Sequence, residues 1–136
     1  MAAGLDREKL ELCLPASKAA IGQARRFVDR LEALDDHQDA RFAVRLLVSE
    51  LFTNAVRYGS RREGSRIRLS VTVTDTLVRV EIGDRGRGFA EGATTMPDAD
   101  AQSGRGLAFL DALANRWGVV SNGETCVWFE LDLERI

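Results

Sequence analysis

Cysteine is scarce in this chain. Cys13 and Cys126 are the only two among 136 residues, and His37 is the only histidine. No CxxC spacing exists, so a zinc site is not expected. Each cysteine falls in a predicted strand and reads as a small buried or half-buried residue. Their rarity points to a reducing, cytoplasmic setting rather than a disulfide framework. Long apolar runs are missing too. No N-terminal stretch resembles a signal peptide and none is long enough to span a bilayer, so no membrane association is expected. Neither sign of charge dominates: 19 Lys and Arg stand against 21 Asp and Glu, a net charge of −2. That argues against direct nucleic-acid binding, which needs clustered positive charge. A local basic run, Arg57, Arg61, Arg62, Arg66 and Arg68, reads as a solvated helix end and loop. There is no internal repeat or low-complexity tract. What remains is a chain 45% hydrophobic and 29% charged, the composition of a globular protein. Its length suits a single domain over residues 1–136.

Residues 1–8 read as a loose polar start. In KLELCLP, Leu10, Leu12 and Leu14 share one face and Glu11 and Cys13 the other, a short strand closed by Pro15. Ser17 can cap the helix that follows, in which Ala20, Ala24, Phe27, Val28 and Leu31 recur at helical spacing with Arg25, Arg26 and Arg30 outside. LDDHQD breaks that pattern, and a second helix runs from about Gln38 to Tyr58 with Gly59 as its stop. The period then changes to two. Ile67, Leu69, Val71 and Val73, a turn at Asp75-Thr76, and Val78, Val80 and Ile82 form a β-hairpin signature. Residues 83–106 are rich in Gly, Asp, Ala and Thr, too long a stretch for an ordinary connection. Helical spacing returns through Leu107, Leu110, Leu113 and Ala114. A second hairpin around Asn122-Gly123 ends the chain. The order β-α-α-β-β-loop-α-β-β predicts an α+β two-layer sandwich: one mainly antiparallel sheet with its helices on one face.

Four places carry chemistry. Glu50 and Asn54 lie one turn apart in the apolar stripe of the second helix, beside Leu47, Leu51, Ala55 and Tyr58. Burying an unpaired carboxylate is costly. Either this face is partly solvated, or Glu50 pairs with an arginine, or the helix lines a cleft. In a cleft Asn54 would offer a neutral oxygen to a hard cation such as Mg²⁺, and Glu50 would accept a proton or position a nucleophile. Asp84 shares strand parity with Val78, Val80 and Ile82, at the strand end just before Gly86 and Gly88. It is either an ordinary turn aspartate or an acceptor for an exocyclic amine such as that of adenine, with glycines letting backbone approach the ligand. Gly104 and Gly106 open a helix whose free N–H groups suit phosphates, with Arg105 as a further donor; the alternative is a hinge with a solvated arginine. No Walker-type lysine or dinucleotide fingerprint is present. Thr125 shares parity with Val127, Phe129 and Leu131, and serves either β propensity or a site.

In this order the features resemble the GHKL ATP-binding superfamily with its Bergerat fold, and the resemblance covers nearly the whole chain. Glu50 and Asn54 match its N box. Asp84, Gly86 and Gly88 match its first glycine box, Gly104, Gly106 and Leu107 its second, and Gly123 with Thr125 its last. The chain carries no dimerisation helix and no phospho-acceptor histidine motif. It looks most like the anti-sigma-factor serine/threonine kinases.

The resemblance implies that Asn54 holds Mg²⁺ bridging the phosphates of ATP. Asp84 reads the adenine amine beside Thr125, and residues 85–103 form the ATP lid. Glu50 would act as general base on a serine or threonine hydroxyl of an anti-sigma-factor antagonist, with transfer resting on positioning and charge neutralisation. The other implied partner is a sigma factor, held until the unphosphorylated antagonist displaces it. Homodimerisation is implied as well. The alternatives are an ATP-dependent binding switch without phosphotransfer, favoured less because a pure binder does not need Glu50, and a detached histidine-kinase catalytic domain. Two positions depart from the family: Tyr58, where many relatives have histidine, and Gln102, where some of these kinases have an arginine whose phosphate contact Arg105 could supply.

Overall fold

The structure is a computed structural model and describes residues 6–59, 66–84, 108–121 and 125–133. The first alternating segment forms the strand β1 (Asp6–Pro15), with Leu14 buried and Glu11 exposed. It starts earlier than the apolar alternation suggests. Asp6, Arg7 and Glu8 are strand rather than loose polar start. The Glu8 carboxylate accepts the Ala33 backbone N–H at 2.8 Å, and Arg7 pairs with Asp75 at 3.1 Å, so polar contacts extend the strand where apolar ones end. Cys13 lies on the face that the helices leave uncovered and is exposed, against the expectation of burial; Cys126 is half-buried.

Helix α1 (Lys18–Asp29) buries Ala20, Ala24, Phe27 and Val28, the stripe read from its periodicity. Ser17 occupies the N-cap position with extended backbone, but its hydroxyl makes no capping hydrogen bond. A 3₁₀ turn (Glu32–Leu34) leads to α2 (Gln38–Asn54). Arg41 ties the two helices together. Its guanidinium donates to the carbonyls of Val28 and Asp29 at the end of α1, to the Leu31 carbonyl just beyond it and to the Asp35 carboxylate. The α-helix stops at Asn54, before the expected Tyr58, and a π-helical turn (Ala55–Gly59) completes the segment.

Strands β2 (Arg66–Thr74) and β3 (Leu77–Asp84) form the first hairpin. Residues 108–113 are helical (α3) and end one residue before Ala114. β4 (Arg116–Ser121) and β5 (Thr125–Asp132) pair antiparallel, with Ser121 opposite Thr125. The sheet order is β1-β2-β3-β5-β4, and all four pairings are antiparallel. Period-two alternation sends Ile67, Leu69, Val71, Val78, Val80, Ile82, Val127 and Phe129 to one side. There they meet Val44, Leu47, Val48, Leu51 and Phe52 of α2 and the apolar stripe of α1 in one core. Each large side chain fully buried there contributes about 1.5–3 kcal/mol. The result is the α+β two-layer sandwich expected from the order of periods. Among the described residues no helix is long and apolar enough to cross a membrane.

The open face of the sheet is laced by charge. The register sets Arg79 and Arg116 on either side of Glu130, and both donate to its carboxylate, at 2.9 and 2.8 Å. Hydrogen bonding from Arg116 is the main cause that holds the Glu130 carboxyl below its ordinary range. Desolvation opposes it and Arg79 adds to it. Arg79 also stacks over Trp128, 4.5 Å from the ring centroid. The indole in turn lies against Gly118, where a Cβ would stand 2.9 Å from the ring nitrogen.

Candidate nucleotide-binding site

Glu50 and Asn54 project from the last two turns of α2. Leu47, Leu51 and Ala55 are buried, whereas Glu50 and Asn54 are half-buried. The pair therefore stands at the edge of the apolar stripe rather than within it. Among the described residues neither side chain has a hydrogen-bond or ion-pair partner, so the arginine pairing that could have neutralised Glu50 is not seen. Asn54 is also the last α-helical residue before the π-helical turn. Such turns are rare and recur at functional sites, because the changed ring size re-aims the residues around it.

Behind Glu50 sits a contact that periodicity did not reveal. Ser49 is 9% exposed and is the one buried polar residue among those described. Its hydroxyl oxygen accepts two hydrogen bonds from Arg25 of α1, from Nε at 3.1 Å and from Nη2 at 3.0 Å. Its carbonyl accepts the Thr53 hydroxyl at 2.6 Å. Ser49 is buried by α1, a neighbour that the spacing within α2 cannot announce.

At the far end of β3 the register places Asp84 opposite Thr125 on β5 and opposite Ile67 on β2. Two residues 41 positions apart in sequence are thus brought to adjacent strands at one end of the sheet. The side chains of Asp84, Thr125 and Tyr58 lie outside the described residues, as do Gly86, Gly88, Gln102, Gly104, Arg105, Gly106, Leu107, Gly123 and the whole stretch 85–103.

The described residues contain no group of three or more His, Cys, Asp or Glu side chains able to hold a metal ion. A cleft of 630 Å³ opens at the start of α2, between residues 35–40 and Leu131, Asp132 and Leu133. His37, the residue that precedes α2, lines this cleft, which is the opposite end of α2 from Glu50 and Asn54.

An antiparallel sheet with helices on one face, and a helix ending in a carboxylate and a carboxamide that have no partner among the described residues, make an α+β sandwich of the Bergerat type. The chain belongs to the histidine kinase-like ATPase domain family, whose family model matches residues 14–131. An anti-sigma F factor of Pasteuria penetrans is 42% identical over 50 residues. That match covers 35% of this chain and 33% of the relative, so the chain matches about a third of that relative's length. Membership of an ATPase domain family implies ATP binding.

Proposed function

We propose that the chain is an ATP-binding anti-sigma factor with serine/threonine-protein kinase activity toward an anti-sigma-factor antagonist, regulating transcription by partner switching in the cytoplasm. The observation that carries this reading is the pair of polar side chains Glu50 and Asn54, on successive turns at the end of α2 and without a partner among the described residues. A carboxylate left half-buried without a partner costs stability, and a catalytic base is a reason to keep one. The name of the Pasteuria relative supports a sigma factor as one partner.

The placement of elements supports a nucleotide between α2 and the ends of β3 and β5. α2 begins beside Leu131 and Leu133 of the β5 end. Its 17 residues and the eight of β5 each span roughly 25 Å. The helix is therefore long enough to carry Asn54 toward the end of the sheet where Asp84 pairs with Thr125. In this reading Asp84 accepts the adenine amine beside Thr125. Gly86 and Gly88 let backbone approach the base. Gly104, Gly106, Leu107 and Arg105 receive the phosphates at a helix start, and residues 85–103 cover them as a lid.

The donors present fit magnesium. Asn54 supplies one neutral oxygen with no other described partner, and Mg²⁺ commonly takes one or two protein oxygens and completes its shell with phosphates and water. When bound, Mg²⁺ neutralises charge on the phosphates. Glu50 accepts the proton of the incoming serine or threonine hydroxyl. The hydroxyl oxygen bonds to the γ-phosphorus, the bond from that phosphorus to the β,γ-bridging oxygen breaks, and ADP carries away the electron pair.

The test is to incubate the protein with γ-labelled Mg-ATP and the protein that co-purifies with it, beside a Glu50→Gln variant. Label on a serine or threonine of the partner that is lost in the variant supports the kinase. ATP binding with no transfer supports a binding switch instead. Label on a histidine or aspartate contradicts both and favours a histidine-kinase catalytic domain.

A further inference from the structure

Three arginines lace α1 to α2, and they do so in order along the helix. Arg41 holds the first turns through the carbonyls that end α1. Arg45 meets Asp29 at 3.5 Å in the middle. Arg25 reaches Ser49 near the end. The last is different in kind. Arg41 and Arg45 use charge against carbonyls and carboxylates. Arg25 turns two donors of its fork onto one neutral hydroxyl oxygen, although that fork matches the two oxygens of a carboxylate.

Ser49 is the residue immediately before Glu50. Successive residues of an α-helix differ by about 100° in azimuth, so fixing the direction of Ser49 against α1 fixes the direction of Glu50. The Thr53 hydroxyl bonded to the Ser49 carbonyl holds the same turn from its other side. One residue beyond Asn54 the backbone passes into the π-helical turn, so the turn bearing Glu50 and Asn54 borders a segment with a different hydrogen-bond register. The Arg25 to Ser49 pair anchors that turn by hydrogen bonds to another element.

We infer that Arg25, acting through Ser49, is a positioning residue for Glu50: it sets the azimuth of the last α-helical turn, and with it the direction from which the carboxylate meets the incoming hydroxyl. This rests on the proposed kinase reading. Arg25 is exposed on α1, so replacing it leaves the core untouched.

The experiment measures phosphotransfer from γ-labelled Mg-ATP to the co-purifying antagonist at saturating antagonist, for wild type, Arg25→Met, Arg25→Lys, Ser49→Ala and Glu50→Gln. Displacing a catalytic group by about 1 Å costs up to about 100-fold. Arg25→Met and Ser49→Ala are therefore expected to lower kcat between about 10- and 100-fold. The KM for antagonist and the Kd for Mg-ATP stay within about twofold, the result of uniform binding being retained. Arg25→Lys keeps one donor and falls between. Amide hydrogen exchange at Thr53 to Ala55, read without any partner, speeds up in Arg25→Met. An unchanged kcat overturns the inference, as does unchanged exchange. A rise in KM alone makes Arg25 a docking residue, and loss of Mg-ATP affinity in equal measure makes the pair a structural tie; either overturns it too. If wild type transfers no label, the kinase reading falls and the inference with it; if Glu50→Gln transfers as wild type, the base role of Glu50 falls and the inference with it. If Glu50→Gln is dead while Arg25→Met is fully active, only the inference falls.

Discussion

Glu50→Leu separates a working carboxylate from a structural one. The side chain is half-buried at the margin of a stripe formed by Leu47, Leu51 and Ala55 and has no partner among the described residues. Full burial of a leucine contributes about 1.5–3 kcal/mol, so a half-buried one gives roughly 1 kcal/mol. Leucine and glutamate have nearly equal helix propensity, so the backbone adds little. With no described ion pair to break, Glu50→Leu should raise the stability of the nucleotide-free protein by about 0.5–1 kcal/mol, roughly 3 °C in Tm, and abolish transfer. That trade of activity for stability is expected where a residue is kept for chemistry. Urea unfolding of wild type and variant, followed by far-ultraviolet circular dichroism, measures the first half. Destabilisation by about 1 kcal/mol or more would refute the reasoning, because it would show that the carboxylate holds a structural partner.

Gly118→Ala should destabilise by about 1–2 kcal/mol, since its Cβ would stand 2.9 Å from Nε1 of Trp128 and must push the indole against the stacked Arg79; urea unfolding checks it, and a neutral result would mean that the ring moves freely. Glu130 gives a pH signature. Its folded pKa is depressed, so its stabilising contribution is complete above the unfolded value, about 4.3, and is lost as pH falls through the folded pKa. Unfolding measured between pH 3 and pH 7 should show a shallower acid loss in Glu130→Gln than in wild type. Phe52→Ala, at a fully buried position between the layers, should cost about 3–5 kcal/mol, read as a lower midpoint in the same assay.

The sandwich was legible because its periods are clean. Ile67 to Val73 and Val78 to Ile82 alternate, Ala20 to Leu31 recur at helical spacing, and the observed strands and helices follow those runs. Errors fell where polar contacts outrank apolar pattern. β1 reaches back to Asp6 because Glu8 and Arg7 find partners on other elements. Cys13 is exposed because parity, not residue type, decides which face of a strand it occupies. The end of α2 became a π-helical turn, for which Gly59 as a stop signal gave no warning. At the site, the spacing of Glu50 and Asn54 was visible, but not their place at the edge of the stripe, which depends on how α2 is rolled against the sheet. The shared inward parity of Asp84 and of Thr125 with the apolar residues of their strands was legible, yet the β3-β5 pairing that makes them neighbours is a tertiary fact. Arg25 and Ser49 were illegible as a pair for the same reason.

The proposed roles are nucleotide binding for Asn54 and proton transfer for Glu50, and Mg-ATP titrated calorimetrically into wild type, Glu50→Gln and Asn54→Ala tests that division most directly. Glu50→Gln should bind Mg-ATP as tightly as wild type, because the carboxylate acts on the hydroxyl of the acceptor. Asn54→Ala should bind at least about tenfold more weakly and lose its dependence on Mg²⁺, since the one protein oxygen assigned to the metal is gone. Asn54→Ala binding Mg-ATP as tightly as wild type would contradict the assignment of the site.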